Sequence, residues 1–415
     1  MTLSNNKGSV CPLSFLTNTL PQVLPQREYA SSFSGDPEFE LLLASCACLQ
    51  KTEQVHNALQ RKLDWERLAR LAEHHGVISQ VYLALAQADR VSLGEISALR
   101  NVYDRSVHQA LWLTRELLRV LEHFENHGIK ALPFKGPVLA RVLHGNVTSR
   151  QFADLDILVR PHDLPNARAA LAELGYEASL QFSPTEERAY IAASYEWAFH
   201  LGEHKNLLEI QWRILPRFYA IDFDVEGLFE RAVAIKLCGR AVRTLCSEDL
   251  ILGLCVHAAK HGWMQLSWIR EIGELSQSRA LDWGGVWREA ETLGICRIAG
   301  VSFLLANNLL GVEMPEVVQG YLQRDSNVGV TARRVLRQLP QEKQSDTESL
   351  DYFRMMMDVR ERWLDRVRFL WRLALTPSVG EWSAIRLPEG LFPLYRVVRF
   401  ARLSRRGLHG SRVPD

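Results

Sequence analysis

The sequence predicts an α+β protein in which one small strand-and-helix unit lies between two helical regions. Three observations predict it. Apolar residues recur every three or four positions up to His127 and again from Ser247 onward. Between those stretches, short apolar runs alternate with turn residues, and Gly128 marks the first change of texture. At 415 residues and 47% hydrophobic, the chain is long enough for two or three domains, each with its own core.

Residues 1–36 mix Ser, Asn, Pro and Gln without a sustained period and read as a loose arm. Residues 37–128 form an N-terminal helical region, in which Phe39, Leu42, Cys46 and Leu49 repeat at helical spacing, as do Leu113, Leu117, Leu121 and Phe124. Gly128 follows as a helix stop. Residues 129–246 are the α/β core. Ile129–Leu132 and Leu155–Val159 are strand candidates, "PFKGPV" is a turn with Pro137 placed for the first turn of a helix, and Asp163–Leu174 is a helix ended by Gly175. Trp197–His200 and Leu207–Arg213 flank the polar loop "LGEHKN" as a hairpin would. Residues 247–405 return to helix, opening on "SEDLILGLCVHAAKHGW" with Ser247 as the expected N-cap, and residues 406–415 are a tail.

Charge and cysteine usage narrow the function classes. Lys plus Arg is 49 against 48 for Asp plus Glu, so whole-molecule attraction to nucleic acid is not expected. The balance hides a basic end: Arg354–Asp415 holds thirteen Arg and six acids. Runs such as "RVRFLWRLAL" leave two readings open, a basic amphipathic surface for an acidic partner or membrane surface, and a helix that packs its apolar side and solvates its arginines. The seven cysteines are scattered, without CxxC pairs, which fits a reducing cytoplasm. No apolar run reaches about 18 residues, so no transmembrane segment is expected.

The chemistry concentrates in "RQFADLDILV". Asp154 and Asp156 are two residues apart, a spacing that sends both to one face of a strand while Leu155, Ile157 and Val159 face the other way. Adjacent carboxylates repel unless a cation lies between them, and hard oxygen donors suit Mg²⁺ or Mn²⁺. Glu209 in "LLEIQW" alternates with Leu208, Ile210 and Trp212 and is the candidate third carboxylate. The plainer reading is that the aspartates solvate a strand end. Upstream, Lys135 and Gly136 lie between a strand and a helix, where glycine lets backbone N–H groups approach a phosphate and lysine adds a fixed charge. His257 and His261 sit at i and i+4 on a helix, a spacing open to metal, to substrate phosphate or to simple packing; the run is HAAKH, without a zincin glutamate. Trp268, Trp283, Trp287 and Trp382 read as packing residues.

The run from "LPFKGPV" through "RQFADLDILV", followed by "LLEIQWRI", "EDLILGLCVHAAKHGWMQLSWIREI" and "LPEGLFPLYRVVRFARL", resembles the uncharacterised bacterial nucleotidyltransferase family, over about Leu118–Leu403. The resemblance implies a polymerase-β-like core flanked by helices. It further implies a divalent metal, Mg²⁺ or Mn²⁺, a nucleoside triphosphate such as ATP as co-substrate, and a hydroxyl acceptor on a small molecule or protein. Residue by residue, it implies that Asp154, Asp156 and Glu209 form the acidic triad, with Lys135, Gly136 and Arg150 as phosphate contacts and His257 and His261 facing the cleft. Gln211 stands where the family often has His, and Arg270-Glu271 where it often has an aspartate. A protein that keeps this fold without catalysis, as an antitoxin-like binder, is the alternative.

Overall fold

A computed structural model describes residues 35–47, 51–88, 91–92, 94–342, 349–376, 385, 387–399 and 401–402. The expected N-terminal arm, the tail and Trp382 lie outside the described residues, apart from Gly35 and Asp36. The N-terminal helices are α1 (Pro37–Cys46), α2 (Lys51–Ala58), α3 (Trp65–His74), α4 (Ile78–Ala86) and the long α5 (Ser97–Asn126). Asp36 caps α1 by accepting from the Phe39 N–H, and Asp64 caps α3 by accepting from Glu66 and Arg67. Gly128 adopts φ +69°, the left-handed turn expected of a glycine stop.

The α/β part runs β1 (Ala131–Pro133), α6 (Gly136–His144), β2 (Leu155–Val159), α7 (Leu164–Glu173), β3 (Tyr176–Ala178), α8 (Pro184–Ala193), β4 (Glu196–Leu201) and β5 (His204–Gln211). The five strands form one mixed sheet in the order β1-β2-β5-β4-β3, in which only β2 and β5 pair in parallel. The β4–β5 hairpin is tighter than the sequence suggests. Gly202 takes φ +57°, so the ladder closes at Leu201 opposite His204 and most of "LGEHKN" becomes strand. After the short helix α9 (Val225–Glu230), β6 (Val233–Leu237) and β7 (Arg240–Thr244) form a separate hairpin.

The C-terminal helices are α10 (Ser247–Lys260), α11 (Leu266–Ser276), α12 (Trp283–Leu293), α13 (Cys296–Leu310), α14 (Glu316–Leu322), α15 (Asn327–Gln338), α16 (Leu350–Asp358) and α17 (Trp363–Leu375). Ser247 is the first helical residue of α10 rather than its cap; Cys246 holds the cap position, in extended backbone and without a side-chain cap bond. Acidic Glu248 and Asp249 still face the positive helix start.

Two apolar clusters organise the chain. One lies behind the sheet, where Leu113, Leu117 and Phe124 of α5 and Ala167 and Leu171 of α7 meet Leu155, Ile157, Leu208 and Ile210. The other joins the N-terminal helices to the C-terminal helices and reaches the front of the sheet only through Leu132 and Leu158. Of the basic C-terminal stretch, Arg360 and Arg399 are buried and Arg372 pairs with Asp222, whereas Arg354 and Arg368 are exposed. Trp363 and Trp371 are exposed on α17.

Candidate functional site

The front of the sheet is polar where the back is apolar, because side chains alternate along each strand. In the parallel ladder Asp156 is the register partner of Glu209, and Glu209 is in turn opposite Ala198 on β4. Leu208, Ile210 and Trp212 are buried, as the alternation in "LLEIQW" requires. Gln211 lies two residues beyond Glu209 on the same face. Its Nε2 donates to Asp156 Oδ1 at 2.7 Å and approaches Glu209 Oε2 at 3.4 Å, so one amide spans both carboxyl groups. Its Oε1 is buried without a protein donor among the described residues.

Asp154 does not stand on the strand. β2 begins at Leu155, and Asp154 occupies the bend before it. That bend lies against the β1–α6 turn. Gly136 starts α6 at φ +53°, and a Cβ there would sit 3.5 Å from the Asp154 carbonyl oxygen, an ordinary contact. The requirement for glycine is therefore conformational. Pro137 follows in the first turn, as expected, and Lys135 at the cap position makes no side-chain cap bond.

Lys135, at the cap of α6, donates from Nζ to Asp156 Oδ1 at 3.1 Å. Arg150 follows a short 3-10 turn, Val147–Ser149, that α4 holds through Gln80 Nε2 donating to the Ser149 carbonyl at 2.8 Å. Its Nε donates to Glu271 Oε1 on α11 at 2.6 Å, and both side chains are largely buried. Glu271, one of the pair Arg270-Glu271 expected to depart from the family pattern, thus holds the arginine.

The end of α10 closes the site from the helical side. The His257 and His261 rings lie 4.8 Å apart, and each contacts the Trp268 ring of α11. Lys260, between them in sequence, donates from Nζ to the Tyr195 hydroxyl at 2.8 Å and lies 4.9 Å from the centre of that ring.

Protonation follows from crowding like charges in a partly dry space. Burial, Glu196, Asp156 and Asp154 together hold the Glu209 carboxyl up to about 9, with Lys135 pulling the other way. Burial and Asp156 raise Asp154 to about 6, against Lys135 and Arg150. Lys135 loses affinity for its proton through burial but regains more from Asp156, Asp154 and Glu209, so it stays charged. Burial, Lys135 and the neighbouring His261 and Lys260 push His257 down; burial and Lys260 push His261 down to about 3. Both imidazoles are therefore neutral at pH 7. Burial lowers Lys260 while Glu196, Glu209 and Asp156 support its charge.

The structure thus brings Lys135, Gly136, Arg150, Asp154, Asp156, Glu209, His257 and His261 to one region between the sheet front and α10–α11. It does not close the three acids into a tight cage: their oxygens do not all come within 4.8 Å of one another, and Lys135 and Gln211 bond to Asp156 instead. Among the described residues, the two histidines also have no third metal-ligand side chain within that distance. Sequence reasoning missed Lys260, Tyr195 and Glu196. Lys260 carried a signal, since it lies three residues after His257 and so shares its helix face; Glu196 enters through the pairing of β4 with β5, and Tyr195, just before β4, through its contact with Lys260.

A family model described as uncharacterised nucleotidyltransferase matches residues 61–311, well over half of the chain. The match takes in every residue of this cluster, begins earlier than the stretch the motifs covered, and stops before "LPEGLFPLYRVVRFARL". No curated protein and no solved structure matches the chain.

Proposed function

The chain belongs to the uncharacterised nucleotidyltransferase family, and from that premise we propose a metal-dependent enzyme that moves a nucleoside monophosphate from a nucleoside triphosphate to a hydroxyl of a small molecule or protein. The observation that carries this reading is the register pairing of Asp156 with Glu209 on a polar sheet front, beside Asp154 and Lys135. Buried carboxyl groups that raise one another's affinity for protons fit a hard divalent cation such as Mg²⁺ or Mn²⁺, as does their all-oxygen chemistry. Asp154, Asp156 and Glu209 would hold it. When bound, the cation would neutralise charge on the triphosphate and lower the pKa of the acceptor hydroxyl.

The chain's own residues supply the rest. Asp154, raised only to about 6, is mostly ionised at pH 7, whereas Glu209 would have to lose its proton before it could accept that of the acceptor hydroxyl. The bond between that oxygen and the α-phosphorus forms as the bond to the bridging oxygen breaks, and pyrophosphate leaves. Lys135 and Arg150, each paired with a carboxylate, turn part of their charge to phosphate oxygens. Gly136 allows the first N–H groups of α6 to approach the same oxygens. Neutral His257 and His261 donate or accept hydrogen bonds without adding charge. Catalysis by such a site is chiefly positioning and charge stabilisation.

The test is pyrophosphate release and transfer of an α-labelled nucleotide in Mg²⁺ or Mn²⁺. Asp156→Asn should lower transfer at least about a hundredfold while leaving a cooperative melt. Full activity in an Asp156→Asn, Glu209→Gln double variant would overturn the reading. The internal pairing of both cations with carboxylates favours one second reading, a member that binds nucleotide without turning it over. It predicts a nucleotide-dependent rise in melting temperature with no pyrophosphate.

A further inference from the structure

Behind the sheet, away from the polar cluster, two helix ends converge. His123 and His127 lie one turn apart near the end of α5, and Glu173 is the last residue of α7. Both rings aim Nε2 at the same oxygen, Glu173 Oε2, at 2.9 Å from His123 and 3.2 Å from His127. The ring centres are 4.4 Å apart, and the ligand atoms all lie within 4.8 Å of one another, the only such trio among the described residues. All three side chains remain partly open to solvent.

The second contact of His127 is what points to a ligand. Its Nδ1 lies 2.9 Å from the His123 carbonyl oxygen. A carbonyl can only accept, so Nδ1 carries the proton and neutral His127 presents a bare lone pair at Nε2. That lone pair faces a carboxylate oxygen, acceptor against acceptor, unless a cation or a second ring proton lies between. A ring N–H bonded to a main-chain carbonyl is also how metal-bound histidines are commonly oriented. Zinc bonds of about 2.0–2.1 Å in tetrahedral geometry space ligand atoms about 3.4 Å apart. The two nitrogen–oxygen separations, 2.9 and 3.2 Å, are slightly shorter than that, and all three ligand atoms lie within 4.8 Å of one another.

We propose that His123, His127 and Glu173 bind a transition-metal ion of the zinc class, with the fourth position open to water. Two imidazoles and one carboxylate suit Zn²⁺ over Mg²⁺, which takes oxygen ligands. The ion clasps the end of α5 to the end of α7, the two helices whose apolar faces support the back of the sheet. It is separate from the cation expected at Asp156.

The test uses the full-length, tag-free chain in a Cys238→Ser background, because Cys238 is an exposed thiol. The chain is stripped with chelator and titrated with ZnCl₂ by calorimetry, and with CoCl₂ to read the visible absorbance of tetrahedral cobalt. One site with the tetrahedral cobalt signature should fill, and should bind equally well when the chain also carries Asp156→Asn. His127→Ala, and separately the conservative Glu173→Gln, should each weaken it at least about tenfold. Unchanged affinity in both variants, or no binding below millimolar zinc, would overturn the proposal and leave only an imidazolium–carboxylate bridge.

Discussion

Replacing Glu271 with leucine should expose how much the Arg150 contact matters. Arg150 Nε lies 2.6 Å from Glu271 Oε1, with the side chains 12% and 3% exposed. Removing one partner of such a pair leaves an uncompensated buried charge, at a cost of about 3–5 kcal/mol. Asp154 and Asp156 also act on Arg150, so part of the loss is made up and the lower end, about 3 kcal/mol, is expected. The Arg150→Met, Glu271→Leu double variant replaces both charges with apolar groups and should return to within about 1 kcal/mol of the parent. The second substitution should therefore recover about 2–3 kcal/mol of what the first one costs. Urea unfolding followed by tryptophan fluorescence reads it, and with a slope on the order of 3 kcal/mol/M the single variant loses about 1 M in midpoint. The reasoning fails if Glu271→Leu unfolds at the parent's midpoint, or if the double variant is as unstable as the single one.

Glu209→Gln tests the crowding of the acids. The native carboxyl keeps its proton up to about pH 9, whereas the unfolded one releases it near pH 4.5, so the parent loses stability as pH rises through that window. In metal-free buffer the glutamine variant should match the parent at pH 4 and exceed it by about 3 kcal/mol at pH 7; parallel stability–pH curves would contradict the crowding argument. Gly136→Ala should cost about 1–2 kcal/mol, because φ +53° is strained for any residue with a Cβ while the neighbours admit one at ordinary contact distance. Thermal melts check this, and a variant as stable as the parent would remove the conformational reason for glycine there.

The sequence by itself determined local structure wherever periodicity and punctuation agreed. The back-facing set of β2 follows from alternation, the stop after α5 from Gly128, and the start of α6 from Pro137. It also marked the acids as candidates, although two carboxylates at that spacing could as well solvate a strand end, and the loop with Lys135 and Gly136 upstream was needed to favour a site. It misjudged positions where a single backbone angle decides, as at Gly202, which turns a six-residue loop into a two-residue turn. Ser247 resembled a cap because capping residues also begin helices; the extended backbone of Cys246, invisible in sequence, puts the cap one residue earlier.

Only tertiary structure decided who meets whom. The parallel pairing of β2 with β5 joins residues more than fifty positions apart, and so sets Asp156 beside Glu209 and gives Gln211 two carboxyl groups to span. Packing of α10 and α11 over the sheet front adds Lys260 and gives Arg150 a carboxylate from far down the chain. Such contacts follow from how apolar faces of separate elements fit together, and no local pattern encodes that. The charges of the cluster were written in the sequence; their balance was set by burial and distance, which exist only once the chain has folded.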